Sequence, residues 1–360
     1  MRIFVTGAAG LIGGEVARRL VARGHRVTAG IHSNPDVRGN DGTPVALAGI
    51  VPIDLAAPAL GLDGVTAQAL ADAHDLILHC AATTRFDLGA EAYRATNVAG
   101  TAAILALAAR ADRPVLYVST AYVCGRRDGP IGEEDPLPSD GFANGYEASK
   151  AQAETLVATA SPRHVIARPS IVLGDSTTGA IHSFDTIYAA FKLIAEGRVR
   201  HMPARADATL DFVPIDHVAA GLVALAERID AAAGGRFHLV SSDPVPVADW
   251  AAAIGAYPQF TAPTYVEPDA FNLTTLPPLE RRLFARVAGL YSSYFQRAPC
   301  FDDHRFRALT GLVCPPTDIA YLTRLIDHCI AVGFLPAATG CAGNAAPAGA
   351  APRAPTASRP

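Results

Sequence analysis

The first thirteen residues constrain the fold most. Met1-Arg2-Ile3-Phe4-Val5-Thr6 is a short apolar run with β-branched residues. It leads straight into Gly7-Ala8-Ala9-Gly10-Leu11-Ile12-Gly13, three glycines spaced GxxGxxG. A helical stripe follows at Ile12, Val16 and Leu20, with Ala17 and Val21 beside it and Gly24 as its stop. Strand, glycine turn and helix, in that order, aim the helix's first amides at a pyrophosphate. Gly7 permits the tight turn, Gly10 lets phosphates approach the backbone, and Gly13 allows close helix–sheet packing.

Strand-like and helix-like segments alternate through the first 170 residues. Strands are expected at 2–6, 26–31, 50–53, 75–79, 114–118 and 164–168, and helices at 12–23, 91–110 and 145–159. That rhythm predicts an α/β fold, a Rossmann-type doubly wound parallel sheet with a smaller C-terminal substrate-binding lobe. The expected division is a dinucleotide-binding core over 1–240, with a substrate-lobe insertion near 170–210, and a C-terminal lobe over 241–336. Within the insertion, Ile187 to Ile194 reads as an apolar helix; residues 211–228 return to the core, and 236–240 read as a further strand. A last helical section, 280–333, carries Phe284, Tyr291, Tyr294, Phe295, Phe301 and Phe306. From Ala337 to Pro360 the chain is rich in Ala, Pro and Gly with no apolar period, so a disordered tail is expected.

Charge and cysteine usage narrow the partners. The net charge is −4 and there is no long basic run, which argues against nucleic acid. The six cysteines form no CxxC pair and no metal-ligand spacing, so free thiols in a reducing cytoplasm are expected and no metal. No apolar run reaches the roughly 20 residues of a membrane span. The first strand begins at residue 2, leaving no room for a signal peptide.

The chemistry concentrates in Gly145-Tyr146-Glu147-Ala148-Ser149-Lys150. On a helix, Tyr146 and Lys150 share one face, so a phenol and an ammonium reach the same pocket. A phenol near pKa ~10 trades protons slowly at neutral pH; a lysine cation at roughly 4 Å supplies attraction of the size needed to lower it. Val118-Ser119-Thr120-Ala121 ends the fifth strand, where ligands of doubly wound sheets sit. A hydroxyl there can bond a substrate carbonyl oxygen. Thr120 is the choice and Ser119 the alternative.

Together these motifs resemble the extended short-chain dehydrogenase/reductases. Further segments resemble that superfamily's thioester-reductase and fatty acyl-CoA-reductase branch. They are Ile53-Asp54-Leu55 with Leu60-Gly61-Leu62, His79-Cys80-Ala81-Ala82-Thr83-Thr84-Arg85-Phe86-Asp87, Asn97-Val98-Ala99-Gly100-Thr101, Arg168-Pro169-Ser170-Ile171-Val172, Gly174-Asp175-Ser176 and Val213-Pro214-Ile215-Asp216. The resemblance covers residues 1 to 240 well and the remainder loosely.

It implies that Tyr146 delivers a proton, that Lys150 holds the nicotinamide ribose and tunes the phenol, and that Thr120 polarises the carbonyl. Gly7, Gly10, Leu11, Ile12, Gly13, Asp54, Leu55, Ala81 and Ala82 would line the cofactor site, with Asp54 at the adenine. Pro169 and Ser170, after Arg168, would pass the nicotinamide; Asn97 would brace the helix below, and Phe86 would wall the pocket. The second-strand turn, Arg26 to Ser33, carries no carboxylate. His32 and Ser33, with Arg38 as a further candidate, can meet a 2′-phosphate, so NADPH is favoured over NAD.

The leading expectation is NADPH-dependent reduction of an acyl thioester, arriving on coenzyme A or a carrier protein, to an aldehyde or alcohol. Rivals are a ketone reductase or secondary alcohol dehydrogenase, a sugar-nucleotide epimerase or dehydratase, and a non-catalytic dinucleotide sensor. The aromatic C-terminal third leans towards a lipophilic ligand. Self-association is compatible with any of them.

Overall fold

The computed structural model describes residues 1–160, 163–184 and 187–338. Most of the expected disordered tail, from 339 on, lies outside the described residues. Seven strands form one parallel sheet: β1 (Arg2–Thr6), β2 (Arg26–Ile31), β3 (Gly49–Pro52), β4 (Leu76–His79), β5 (Val115–Val118), β6 (His164–Pro169) and β7 (Arg236–Leu239). Their order is β7-β6-β5-β4-β1-β2-β3. Ile3 pairs with Val27 on one side and Leu76 on the other. The central strands are apolar on both faces because helices cover both.

On one face, Val16 and Leu20 of the first helix, Leu11–Ala22, pack with Val218, Leu222 and Leu225 of Ile215–Glu227. On the other, Gly64–Ala73, Gly100–Ala109 and Gly145–Thr159 bury Leu70, Ile104, Leu107, Ala153 and Val157. The strand order reverses between β1 and β4. Connections therefore leave that point in opposite directions and open a crevice at the carboxyl ends.

A third core belongs to the residues around that crevice's far side. It joins Tyr188, Phe191, Trp250, Phe284, Phe295 and Tyr321. The section expected to be helical over 280–333 is broken. Helix Pro278–Arg286 runs into a 3₁₀ segment, Ala288–Gln296. A strand, Pro299–Phe301, then lies parallel to Gly129–Ile131, before helices His304–Thr310 and Ile319–Ala331. Pro299 cannot continue a helix, and a three-residue strand is too short to show a period. Among the described residues no helix is long and apolar enough to cross a membrane.

Candidate functional site

The first cleft opens at the switch between β1 and β4. Gly7 ends β1 with φ +71°, and a Cβ there would lie 2.7 Å from the Ala81 backbone beyond β4. A Cβ at Gly13 would lie 2.2 Å from the Gly7 carbonyl oxygen. Both positions must be glycine for β1, β4 and the first helix to meet this closely. Gly10 is exposed and caps the helix with no side chain, and the first turn holds no acid. The turn therefore presents unpaired amides and a positive dipole end to the cleft. This cradle fits a dinucleotide's pyrophosphate.

The cleft continues past Ile31, His32, Ser33 and Asn34 at the end of β2, and past Asp54, Leu55, Ala81 and Ala82. Asp54 accepts from the Ala56 amide at 2.8 Å, and its other oxygen stands 4.0 Å from His32 Nε2. Arg38 is elsewhere: its guanidinium donates to Asp36 and to the Gly42 carbonyl, away from the cleft lining.

A second groove shares Gly10 and Ala82 with the first, so the two are continuous. Leu11, Ile12 and Gly13 line it, as do Ser119, Thr120, Tyr146, Lys150, Pro169 and Ser170. The structure thus brings the glycine turn, His32, Ser33, Asp54, Leu55, Ala81, Ala82, Thr120, Tyr146, Lys150, Pro169 and Ser170 to one connected groove, and leaves Arg38 outside it. Thr120 is extended and its Oγ1 accepts from the Tyr122 amide, starting the 3₁₀ turn Ala121–Cys124. Ser119 Oγ is buried and has no partner among the described residues. Arg168 turns away from the groove into a buried ion pair with Glu154, on the helix that carries Lys150.

The Tyr146 helix starts where its sequence says it must. Asn144 accepts from the Glu147 amide at 2.9 Å, and the Glu147 carboxylate reaches back to the Ala143 amide at 2.9 Å, a capping box displaced by one residue. Beneath it the chain makes a π turn, Arg94–Ala99, which re-aims Asn97. Asn97 holds both the amide and the carbonyl of Thr83, at 2.8 and 3.1 Å, and donates to Ser149 Oγ at 2.9 Å. It clamps the segment after β4 to the helix one residue before Lys150.

Electrostatics differ from the expected pairing. Lys150 Nζ donates to the Val118 carbonyl at 2.7 Å and lies 4.2 Å from the centre of the Tyr117 ring. Burial brings its pKa down to about 7, opposed by Cys80 and Glu154. The Tyr146 phenol is raised, by burial first and by neighbouring Glu147 second. In this geometry the lysine does not lower the phenol, because its ammonium is turned to the strand end. His79 is buried between Thr6 Oγ1 at 2.7 Å and Thr101 Oγ1 at 3.1 Å. Burial, and then Lys150, hold it neutral with a pKa down to about 3. Burial pushes the Cys80 thiol up to about 12, so it is no nucleophile.

The far wall is aromatic. Phe86 stacks on Tyr146 at 5.6 Å and touches Tyr291 and Tyr294 at 5.1 and 6.1 Å. Of the apolar helix begun at Ile187 and the C-terminal aromatics, only Ile187, Tyr291 and Tyr294 reach the groove. Tyr188, Phe191 and Ile194 instead enclose, with Trp250 and Phe295, an apolar void of about 40 Å³. A void so small and so apolar is a packing gap in the core.

Sequence reasoning missed the groups behind the site. Arg297 pairs with Glu147 inside the protein, with side chains 3% and 0% exposed. Asp211 accepts from Ser170 Oγ and from the Ser241 amide, and burial raises its pKa to about 6. The one advance signal was Asn144-x-x-Glu147, which marks a cap but not its distant cation.

A family model described as male sterility protein, an NAD-binding family, matches residues 46–222. A linear gramicidin synthase of Brevibacillus parabrevis is 34% identical over 57% of this chain, which spans 4% of that protein's length. A 4-hydroxy-2-methyl-3-oxo-4-farnesyl-3,4-dihydroquinoline-1-oxide ketoreductase of Stigmatella aurantiaca is 36% identical over 49% of this chain and 52% of its own. The crystal structure of the terminal R domain from the myxalamid PKS-NRPS biosynthetic pathway superposes with TM-score 0.79 and 28% identity. That likeness covers 93% of this chain and 92% of that one. By its parallel sheet, its glycine cradle and these likenesses, the chain is similar to the extended short-chain dehydrogenase/reductases, the thioester-reductase branch among them.

Proposed function

We propose that this protein reduces an acyl thioester, bound to a carrier protein or coenzyme A, with NADPH as the preferred reductant. The observation that carries the reading is the likeness, nearly end to end, to a terminal R domain. The groove supports it, since aromatic rings line it beside a phenol and the hydroxyl that follows β5.

In this reading the groove binds the cofactor against Gly7, Gly10 and Gly13, and the cofactor supplies the hydride. Tyr146 gives its proton to the carbonyl oxygen as the carbonyl carbon becomes tetrahedral, and Thr120 Oγ1 donates a hydrogen bond to the same oxygen. A phenol is protonated at neutral pH, so its proton is in place when the oxygen takes on charge. Collapse of the hemithioacetal breaks the C–S bond and releases a thiol and an aldehyde. Lys150, which lines the same groove, holds the ribose. His32 and Ser33 meet the 2′-phosphate at the end of β2, where a carboxylate would repel it.

A second reading, reduction of a ketone, rests on the likeness to the ketoreductase. One assay divides the two: follow NADPH absorbance and free thiol together, with acetyl-CoA, hexanoyl-CoA and a panel of ketones. Thiol release matching NADPH consumption is expected. Four extra carbons, at about 0.8 kcal/mol each, should favour hexanoyl-CoA roughly a hundredfold while the groove has room. NADPH consumption with ketones, and no thiol from any thioester including carrier-bound ones, would overturn the thioester reading.

A further inference from the structure

Arg297 stands just after the 3₁₀ segment Ala288–Gln296, in the part of the chain farthest in sequence from the glycine cradle. Its Nη2 donates to Glu147 Oε1 at 2.6 Å, and its Nη1 donates to the Gly125 carbonyl at 2.9 Å. The Tyr122 and Tyr294 rings lie 4.7 and 4.6 Å from its Cζ. Each contact leads to the site. Glu147 is the residue after Tyr146, and its second oxygen ties the Ala143 amide. Gly125 ends the turn that Thr120 begins. Tyr294 bears on Phe86, and Phe86 stacks on Tyr146.

One buried guanidinium therefore grips the two segments that carry the hydroxyl and the phenol. A guanidinium's planar fork bonds the carboxylate and the carbonyl in fixed directions, whereas an ammonium's three donors turn about one nitrogen and fix no plane. Apolar packing would hold the segments together as firmly. What it would not do is fix the direction of the helix start beside Tyr146.

We propose that Arg297 is a positioning residue that aims Tyr146 and Thr120 at one oxygen, so that the C-terminal segment sets the geometry of proton delivery. The inference rests on the reading of Tyr146 as proton donor. Removing Arg297 alone leaves Glu147 buried and unpaired, so two gentler variants carry the test. Arg297→Lys keeps the charge and loses the fork. The pair Arg297→Met with Glu147→Gln removes both charges and keeps the volume.

With NADPH and hexanoyl-CoA, kcat should fall at least about tenfold in both, the scale of a small misplacement of reacting groups. The KM for hexanoyl-CoA and the Kd for NADPH should stay within about twofold, since the interaction lost acts in the transition state. Amide exchange gives a reading that needs no substrate. Exchange over residues 143–149 should quicken at least about tenfold, with the Gly64–Ala73 helix unchanged. If the parent turns over no hexanoyl-CoA, the exchange result alone decides. Should Arg297→Lys not fold, the double variant stands for both.

Parent-like kcat in the folded double variant, or unchanged exchange over 143–149, would overturn the proposal. Tyr146→Phe separates this failure from a wider one. If that variant keeps full turnover, the donor assignment falls and this inference with it. If it loses turnover while the double variant does not, only the role of Arg297 falls.

Discussion

The two halves of the groove are built on different principles. The nucleotide half is lined by residues between Gly7 and Thr96, mostly backbone and small side chains at the ends of β1, β2 and β4. The half that holds Tyr146 draws on residues from Gly10 to Tyr294, and its walls are large side chains. In the first, shape comes from what is missing, a Cβ at Gly7 and Gly13. In the second, shape comes from a buried ion pair and stacked rings reaching across the chain. The lesson is that a binding surface made of backbone tolerates little change in its own residues, whereas one made of side chains is vulnerable at a distance.

Substitutions on either side can break that contrast. The largest effect is expected from Tyr146→Phe, which keeps the ring against Phe86 and removes the proton. Turnover should drop by at least about 100-fold, the low end for a general acid. The Kd for NADPH, from its fluorescence, should barely move; joint loss of both would mean the halves are not separable.

Gly13→Ala is the converse. Its methyl would press on the Gly7 carbonyl, so about 1–3 kcal/mol of overpacking falls on the cradle. Cofactor affinity should weaken by roughly tenfold or more, and a fluorescence titration with parent-like Kd would remove the close-packing argument.

Lys150 lies between the halves, and its lowered pKa makes a stability prediction. An unfolded lysine keeps its proton to about pH 10.5, whereas the folded one releases it near 7. From pH 7 to 9 the unfolded chain binds more protons, so this group adds stability as pH rises, on the order of 1–2 kcal/mol. Lys150→Met should lack that rise. Denaturant titrations of parent and variant at both pH values isolate it, and parallel curves would place the ammonium in water.

The smallest effect concerns the 2′-phosphate. Ile31 is buried, so a carboxylate there would damage the core; His32 is exposed and lines the cleft. His32→Asp should move the NADPH-to-NADH preference by about tenfold towards NADH. A parent enzyme that already prefers NADH would end the charge argument at this turn.

Legibility from sequence follows the same divide. The strands of the sheet and the glycine turn were readable because each is a local pattern, a β-branched run or a fixed spacing. Tyr146 and Lys150 were readable because a helix puts i and i+4 together. Arg297 was not, since nothing in a sequence says which arginine returns to a glutamate 150 positions earlier. The direction of Lys150 was also hidden, because it is set by the Val118 carbonyl at a strand end. The aromatic segments were located but not sorted: period alone cannot distinguish a ring facing a groove from one facing the core, and Phe191 and Phe295 face the core.

The strand Pro299–Phe301 joins Gly129–Ile131, its partners 170 positions apart in sequence. Contacts so distant in sequence form late, because the entropy of closing the loop comes before any gain from pairing. The nucleotide half needs only strands from the first 80 residues. A refolding chain should therefore regain NADPH binding before it regains turnover. Stopped-flow fluorescence, paired with activity assays at matched times, would display the interval as a molecule that holds its reductant and cannot yet use it.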